Sequence, residues 1–303
     1  MIDYKNIFRS RKLRFRILSM LSAMPDSWIV RIQYYLQMGK PLNLKNPGTF
    51  NEKIQAYKLK YRNPEMLRCT DKIEVRKYVE ERGLKDILVP LVGFFKDSSE
   101  LKIKSLPKQF VMKTSDGGGG NQVFICHDLE KENSYEILKK AKDLLQGIKP
   151  KKHVGREWAY DNNYPRRIII EPLLYDGDDT KSGLMDYKFL CFNGKFKYLW
   201  VDKDRFKQHV RGFWDENLNY LKNVSCHYPT FNGPFQLPAN IREMINIAER
   251  LAAGFPFVRV DLYNVKGKIY FGEMTFYPNS GYKAFNPEEF DIRLGELFDD
   301  SVI

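Results

Sequence analysis

The chain has 303 residues, 43% hydrophobic and 29% charged, with a formal net charge of +12. That length supports two cores, since single cores stop growing at roughly 250–300 residues, and the composition is that of a globular chain rather than a disordered one. No apolar run reaches the roughly 20 residues of a spanning helix. Arg9, Arg11, Lys12, Arg14 and Arg16 interrupt the apolar core a secretory leader needs, and four cysteines without a C-x-x-C pair suggest neither a disulfide framework nor a zinc ribbon. The expected compartment is the cytoplasm.

The charge is uneven: residues 1–62 hold thirteen Lys and Arg against three Asp and Glu. Nucleic acid, an anionic membrane face or an acidic substrate would each suit that excess. No helix-turn-helix, zinc-finger or aromatic RNA-binding signature supports the first, so no nucleic-acid partner is expected. Residues 5–24 read as a basic helix with Ile7, Leu13, Ile17, Met20, Leu21 and Met24 on one arc. It is suited to anionic headgroups, or equally to docking on its own protein.

Pro25-Asp26 restarts the chain, and a second helix is predicted from Asp26 to about Met38, stopped by Gly39. Thr49 followed by Glu52 is helix-entry chemistry ahead of Ile54 and Tyr57. From about residue 65, helices alternate with short strands. A helix is expected over 71–82, strands over 88–95 and 110–114, a return strand over 122–126 and a helix over 132–147. Strands follow at 167–171, 186–192 and 195–201, the last two joined by Asn193-Gly194, then a helix over 241–253. A hairpin pairs 258–263 with 268–274 over Lys266-Gly267. Antiparallel pairing through two-residue turns makes the fold class α+β, divided into a basic helical segment 1–65, a lobe 66–170 and a lobe 171–303.

Two stretches carry the chemistry. Lys113 ends an apolar strand that runs into Gly117, Gly118, Gly119 and Gly120. This offers an ammonium and close-approaching backbone N–H groups to phosphate, or simply a hairpin tip. It is not a P-loop, because no Gly-Lys-Ser/Thr follows. The second stretch places Asp261 and Glu273 on the two arms of a hairpin whose turn could put both side chains on one face, a carboxylate pair that suits Mg²⁺ completed by substrate phosphates, or simply two solvated strand carboxylates. Arg259 shares the face of Asp261 by alternation and suits an anion. Glu171 closes an apolar strand as a candidate nucleotide contact. Lys188 reads as a second phosphate-binding ammonium or an exposed sheet lysine, and Arg205 and Arg211 as contacts for an acidic substrate or solvated loop arginines. Cys126-His127 and Cys226-His227 cannot converge by themselves, since strand neighbours point to opposite faces.

These pieces resemble the ATP-grasp superfamily, and more closely the TupA-like ATP-grasp family of bacterial surface-polysaccharide and teichuronopeptide biosynthesis. The matching segments are Phe50 to Ile54, Asp71 to Val79, Leu106 to Asn121, Arg156 to Trp158, Arg167 to Leu174, Asp186 to Lys188 and Phe255 to Gly281. The resemblance implies ATP held between two lobes. Lys72 and Lys113 would contact phosphates beneath the glycine loop, and Glu171, Leu173 and Leu174 would meet adenine and ribose. Asp261 and Glu273 would bind Mg²⁺, with Thr275 standing where many relatives place an asparagine ligand. Arg259 would steady a tetrahedral intermediate, and Pro278 to Gly281 would border the acceptor. The implied activity is a carboxylate–amine ligase acting through an acylphosphate, joining an amino acid to a sugar acid or amino sugar of a surface glycan. A phosphotransferase, a sugar transferase and a non-catalytic basic membrane- or polyanion-binding protein are the alternatives.

Overall fold

The computed structural model describes residues 24–117, 122–146, 155–161, 164–177, 183–205, 207–233 and 235–302. The expected basic helix over 5–24, the tip Gly118 to Gly120 and the helix stop at Gly147 lie outside them.

Helix α1 (Asp26–Met38) ends at Gly39, whose φ of 71° is the left-handed conformation glycine tolerates at a helix end. Thr49 caps α2 (Phe50–Lys60): its hydroxyl accepts from the Glu52 N–H while the Glu52 carboxylate accepts from the Thr49 N–H. A short α3 (Pro64–Thr70) was not expected; Asn63 caps it and Pro64 opens it. The helix expected over 71–82 shortens to α4 (Glu74–Glu81) because Asp71 stands before it, accepting from Ile73 N (2.9 Å) and Glu74 N (3.1 Å).

The first sheet is antiparallel, in the order β1 (Gly93–Phe95), β4 (Ile168–Pro172), β2 (Phe110–Thr114), β3 (Val123–Cys126). The strand expected from Leu88 begins only at Gly93, since Pro90 has no N–H for a ladder. Helix α5 (Ser134–Leu145) packs on β2 and β4, and Phe110, Met112, Ile137, Ala141, Ile168 and Ile170 fill the core between them.

The second sheet is also antiparallel. Its strands are β5 (Asp186–Phe192), β6 (Lys195–Lys203), β7 (Val210–Trp214), β9 (Phe257–Val265) and β10 (Lys268–Thr275), in the order β10-β9-β5-β6-β7. Every residue of the central strand β5 is buried, as expected of a strand covered on both faces. Helix α6 (Ile241–Ala252) packs on β5, β6 and β9, where Met244 meets Asn264 of β9. A two-residue bridge pairs β8 (Ser225–Cys226) with β11 (Phe285–Asn286), and the unexpected α7 (Glu288–Glu296) packs on α2. Met66, Cys69, Val75, Tyr78 and Val79 of α3 and α4 belong to this larger core. The fold is α+β, as the two-residue turns predicted.

Candidate active site

The face of the large sheet opposite α6 is set by register. Lys188 of β5 lies across from Trp200 of β6 and from Asp261 of β9, and Asp261 lies across from Glu273 of β10. One step along, Arg211 of β7 opposes Asp202 of β6, which opposes Asp186 of β5. Cross-strand partners share a face, so two rows of charged side chains run side by side. A regular hairpin over Lys266-Gly267 would set Gly272, not Glu273, against Asp261. A bulge between Phe271 and Glu273 advances β10 by one residue and turns Glu273 to the same face. Gly272 is required there, because a Cβ would stand 2.9 Å from the Asp261 carbonyl oxygen.

Arg259 clamps the row. Its Nε and Nη2 donate to the two oxygens of Asp261 at 2.6 and 2.7 Å, and Nη2 also reaches Glu273 at 3.2 Å and the Thr275 hydroxyl at 3.0 Å. Thr275 in turn donates to Glu273 at 3.0 Å. Lys188 is not an exposed sheet lysine: it is buried, 2.6 Å from Asp261 and 3.3 Å from Asp186. Burial would raise the Glu273 carboxyl, but Arg259, then Lys188 and Lys72, hold it down at about 2. The Glu273 side chain is nevertheless 46% exposed at the floor of the cleft.

Across the cleft, Lys113 finds the anion its strand position demands: Glu171 of β4, 2.7 Å away, with Arg76 of α4 3.7 Å from the same carboxylate. Lys72 donates to the Gly117 carbonyl, and burial lowers its pKa, with Lys113 adding to the effect and Glu273 opposing it. Lys72, Lys113, Gly117, Glu171, Lys188, Arg259, Asp261, Glu273 and Thr275 all line one cleft of about 770 Å³. Leu173 and Leu174 do not line it, and the Leu173 N–H is taken by the Gln109 carbonyl at 3.2 Å.

Arg205 and Arg211 line the far end: Arg211 is a buried residue of β7, whereas Arg205 is an exposed loop arginine held by an ion pair. Arg205 pairs with Asp186, and Arg211 holds Asp202 through two bonds of 2.6 and 2.9 Å. Asn279 and Ser280 close this end in the left-handed region, with φ of 52° and 54°. They are tied from beneath by α2. Gln55 donates to the Ser280 and Gly281 carbonyls at 3.0 Å, and Lys58 donates to the Ser280 carbonyl at 2.7 Å. Lys58 is wholly buried, and burial lowers its pKa to about 8 against the opposing pull of Glu157. Neither His127 nor His227 lines the cleft; Cys126 and Cys226 are buried free thiols that do not line it, though Cys226 lies directly behind Asn279 and Arg211, which do. His209, which no sequence motif marked, does line it.

The donor set fits a magnesium ion of the kind completed by substrate phosphates: two carboxylates facing each other across a strand pair. Among the described residues no three His, Cys, Asp or Glu side chains converge into a self-sufficient metal site. Thr275 is hydrogen-bonded to both Arg259 and Glu273, beside the carboxylate pair.

A sequence profile of the family described as TupA-like ATPgrasp matches residues 52–299. No curated protein matches the chain. Among solved structures, D-alanine–D-alanine ligase from Helicobacter pylori is 14% identical, covering 83% of this chain and 70% of its own, with a TM-score of 0.49. D-alanine–D-alanine ligase from Bacillus anthracis is 17% identical over 69% of this chain and 57% of its own, with a TM-score of 0.41. Phosphoribosylamine–glycine ligase from Thermotoga maritima is 16% identical over 71% of this chain and 49% of its own, with a TM-score of 0.44. The chain thus spans only about half to three-fifths of the length of the last two. Likeness at this level transfers neither a reaction nor a substrate.

Proposed function

The chain belongs to the TupA-like ATP-grasp family, and on that premise we propose that it is an ATP- and Mg²⁺-dependent carboxylate–amine ligase that forms an amide through an acylphosphate. The observation that carries this reading is the meeting, in one cleft, of Lys72, Lys113 and Gly117 with the row Lys188, Asp261 and Glu273. Cations on one wall and a carboxylate pair on the other suit a triphosphate bridged by a metal.

In this reading Lys72 and Lys113 hold phosphate oxygens beside Gly117, and Gly118 to Gly120, outside the described residues, are the expected phosphate-binding glycines. Glu171 lies at the nucleotide end, and Leu88, Val89 and Phe271 offer the base an apolar wall. Asp261 and Glu273 would hold Mg²⁺, which when bound would neutralise charge on the transferring phosphoryl group. Arg259 and Lys188 offset part of the carboxylate charge, and Arg259 would turn its charge to the tetrahedral intermediate as the amine adds. The substrates would be an amino acid or amine and an acidic or amino-sugar glycan of bacterial surface-polysaccharide biosynthesis, worked on at the inner face of the cell membrane. The basic N-terminal segment supports an anionic partner. No described helix is long and apolar enough to cross a membrane. The division at residues 65 and 170 belongs to the same proposal; with α3 and α4 packed in the larger core, the part that closes on ATP would be the first sheet and α5.

Isothermal titration with ATP, with and without Mg²⁺, tests the nucleotide site. Hydroxylamine trapping across a panel of uronic acids and amino acids tests the acylphosphate. The expected products are ADP and phosphate. AMP with pyrophosphate, or a phosphorylated acceptor with no amide, would replace the ligase by another transferase. Sedimentation with phosphatidylglycerol vesicles, with and without residues 1–23, tests the membrane association.

A further inference from the structure

We propose that His209 is the proton acceptor for the attacking amine, so that the far end of the cleft is the amine subsite; this rests on the ligase reading above. Amide formation has an acid–base requirement that the nucleotide end does not meet. An alkyl amine arrives at neutral pH as R–NH₃⁺ and has no lone pair. It must lose one proton before nitrogen attacks the acyl carbon. Once the C–N bond forms and the C–O bond to phosphate breaks, the nitrogen loses a second proton. Phosphate leaves with the bonding electrons and can carry one proton; the other needs a base on the protein.

His209 is the only described histidine that lines the cleft. The ring is held on two sides: it stacks on Tyr228 with centroids 3.6 Å apart and planes 22° apart, and Nε2 lies 3.2 Å from Oδ1 of Asp202. Nε2 makes no hydrogen bond despite that proximity, so the neutral ring keeps a lone pair free to take the proton. Asp202 is itself fixed by both arms of Arg211. The Arg211 guanidinium lies 4.3 Å from the Trp200 ring, and that of Arg259 lies 5.1 Å from the same ring. One indole therefore links the proposed base to the arginine assigned to the acyl carbon.

The groups facing the imidazole are Asp202 from β6, Arg211 from β7, Arg205 from the β6–β7 connection and Tyr228. Burial lowers the His209 pKa below its ordinary value, Arg211 and Arg205 add to this, and Asp202 opposes it. The ring is thus neutral at pH 7, the state that can accept a proton. Turnover should fall as pH drops through this lowered pKa.

The test uses the full-length protein and an ADP-release assay, with ethanolamine and hydroxylamine as probe amines against the uronic and amino acid panel. Hydroxylamine is already neutral at pH 7 and needs no deprotonation before attack. His209→Ala should lower kcat with ethanolamine by about a hundredfold, the usual worth of a general base. It should leave KM for ATP unchanged and turnover with hydroxylamine nearly unchanged, and added imidazole should restore part of the loss. Wild-type kcat with ethanolamine in His209→Ala from pH 5.5 to 8 would overturn the assignment. An equal loss with both amines and no rescue by imidazole would reduce His209 to a structural role. No ADP release by the wild-type protein with any acid would instead remove the ligase reading itself.

Discussion

Replacing Asp261 or Glu273 by its amide should have very different consequences for folding, although both are assigned to the same ion. Asp261 is 2% exposed and accepts from Arg259 at 2.6 and 2.7 Å and from Lys188 at 2.6 Å. Asp261→Asn removes the carboxylate on which two buried cations rest. Breaking a buried pair by deleting one partner costs about 3–5 kcal/mol, and the lower end applies because Asp186 and Glu273 still face those cations. At roughly 2 °C per kcal/mol for a chain of this size, Tm should fall by about 6 °C. Glu273 is 46% exposed on its side chain and meets Arg259 at 3.2 Å. Glu273→Gln keeps an acceptor oxygen and leaves the Asp261 pair intact, so its cost is below about 1 kcal/mol and Tm should move by less than about 2 °C. The magnesium-dependent part of ATP binding should fall at least about tenfold in both variants, a loss of about 1.4 kcal/mol. Differential scanning calorimetry and isothermal titration measure the two effects separately. Equal Tm values for the two variants would refute the charge accounting, and undiminished magnesium-dependent affinity in Glu273→Gln would refute the metal pair.

Lys113→Met should weaken ATP binding about tenfold or more by titration calorimetry with little change in Tm, because Arg76 remains beside Glu171. Gly272→Ala should destabilise by about 1–3 kcal/mol, since its Cβ would meet the Asp261 carbonyl at 2.9 Å. It should also lower magnesium-dependent ATP affinity by displacing Glu273, whereas Gly267→Ala, with open space around it but a φ of 86°, should affect stability alone. For pH dependence, Glu273 is held at about 2 against an ordinary 4.5. A lowered carboxylate contributes stability that is present above 4.5 and lost as pH falls toward 2. A plot of Tm against pH should therefore be flatter in Glu273→Gln than in wild type across that window.

Much of the fold was legible because local chemistry fixes it. The Thr49–Glu52 capping box, the Gly39 stop, and the hairpin turns at Asn193-Gly194 and Lys266-Gly267 each specify a conformation within a few residues, and the structure places them as read. The short strands β7, β8 and β11 and the helix α7 were not legible. The strands are too short to show a period, α7 offers only the single pair Phe290 and Leu294, and all are held by the aromatic core that Phe213, Phe285, Phe290 and Trp214 complete.

The sequence by itself determined which residue types could meet a phosphate or a cation, and alternation placed Arg259 and Asp261 on one face. Only the tertiary structure decided that Glu273 joins them. The hairpin turn alone would have sent it to the other face, and the bulge at Gly272 reverses that. Tertiary structure also decided that Arg211, Asp202 and His209 stand in the same cleft, because cross-strand register is a relation between segments that no local pattern encodes.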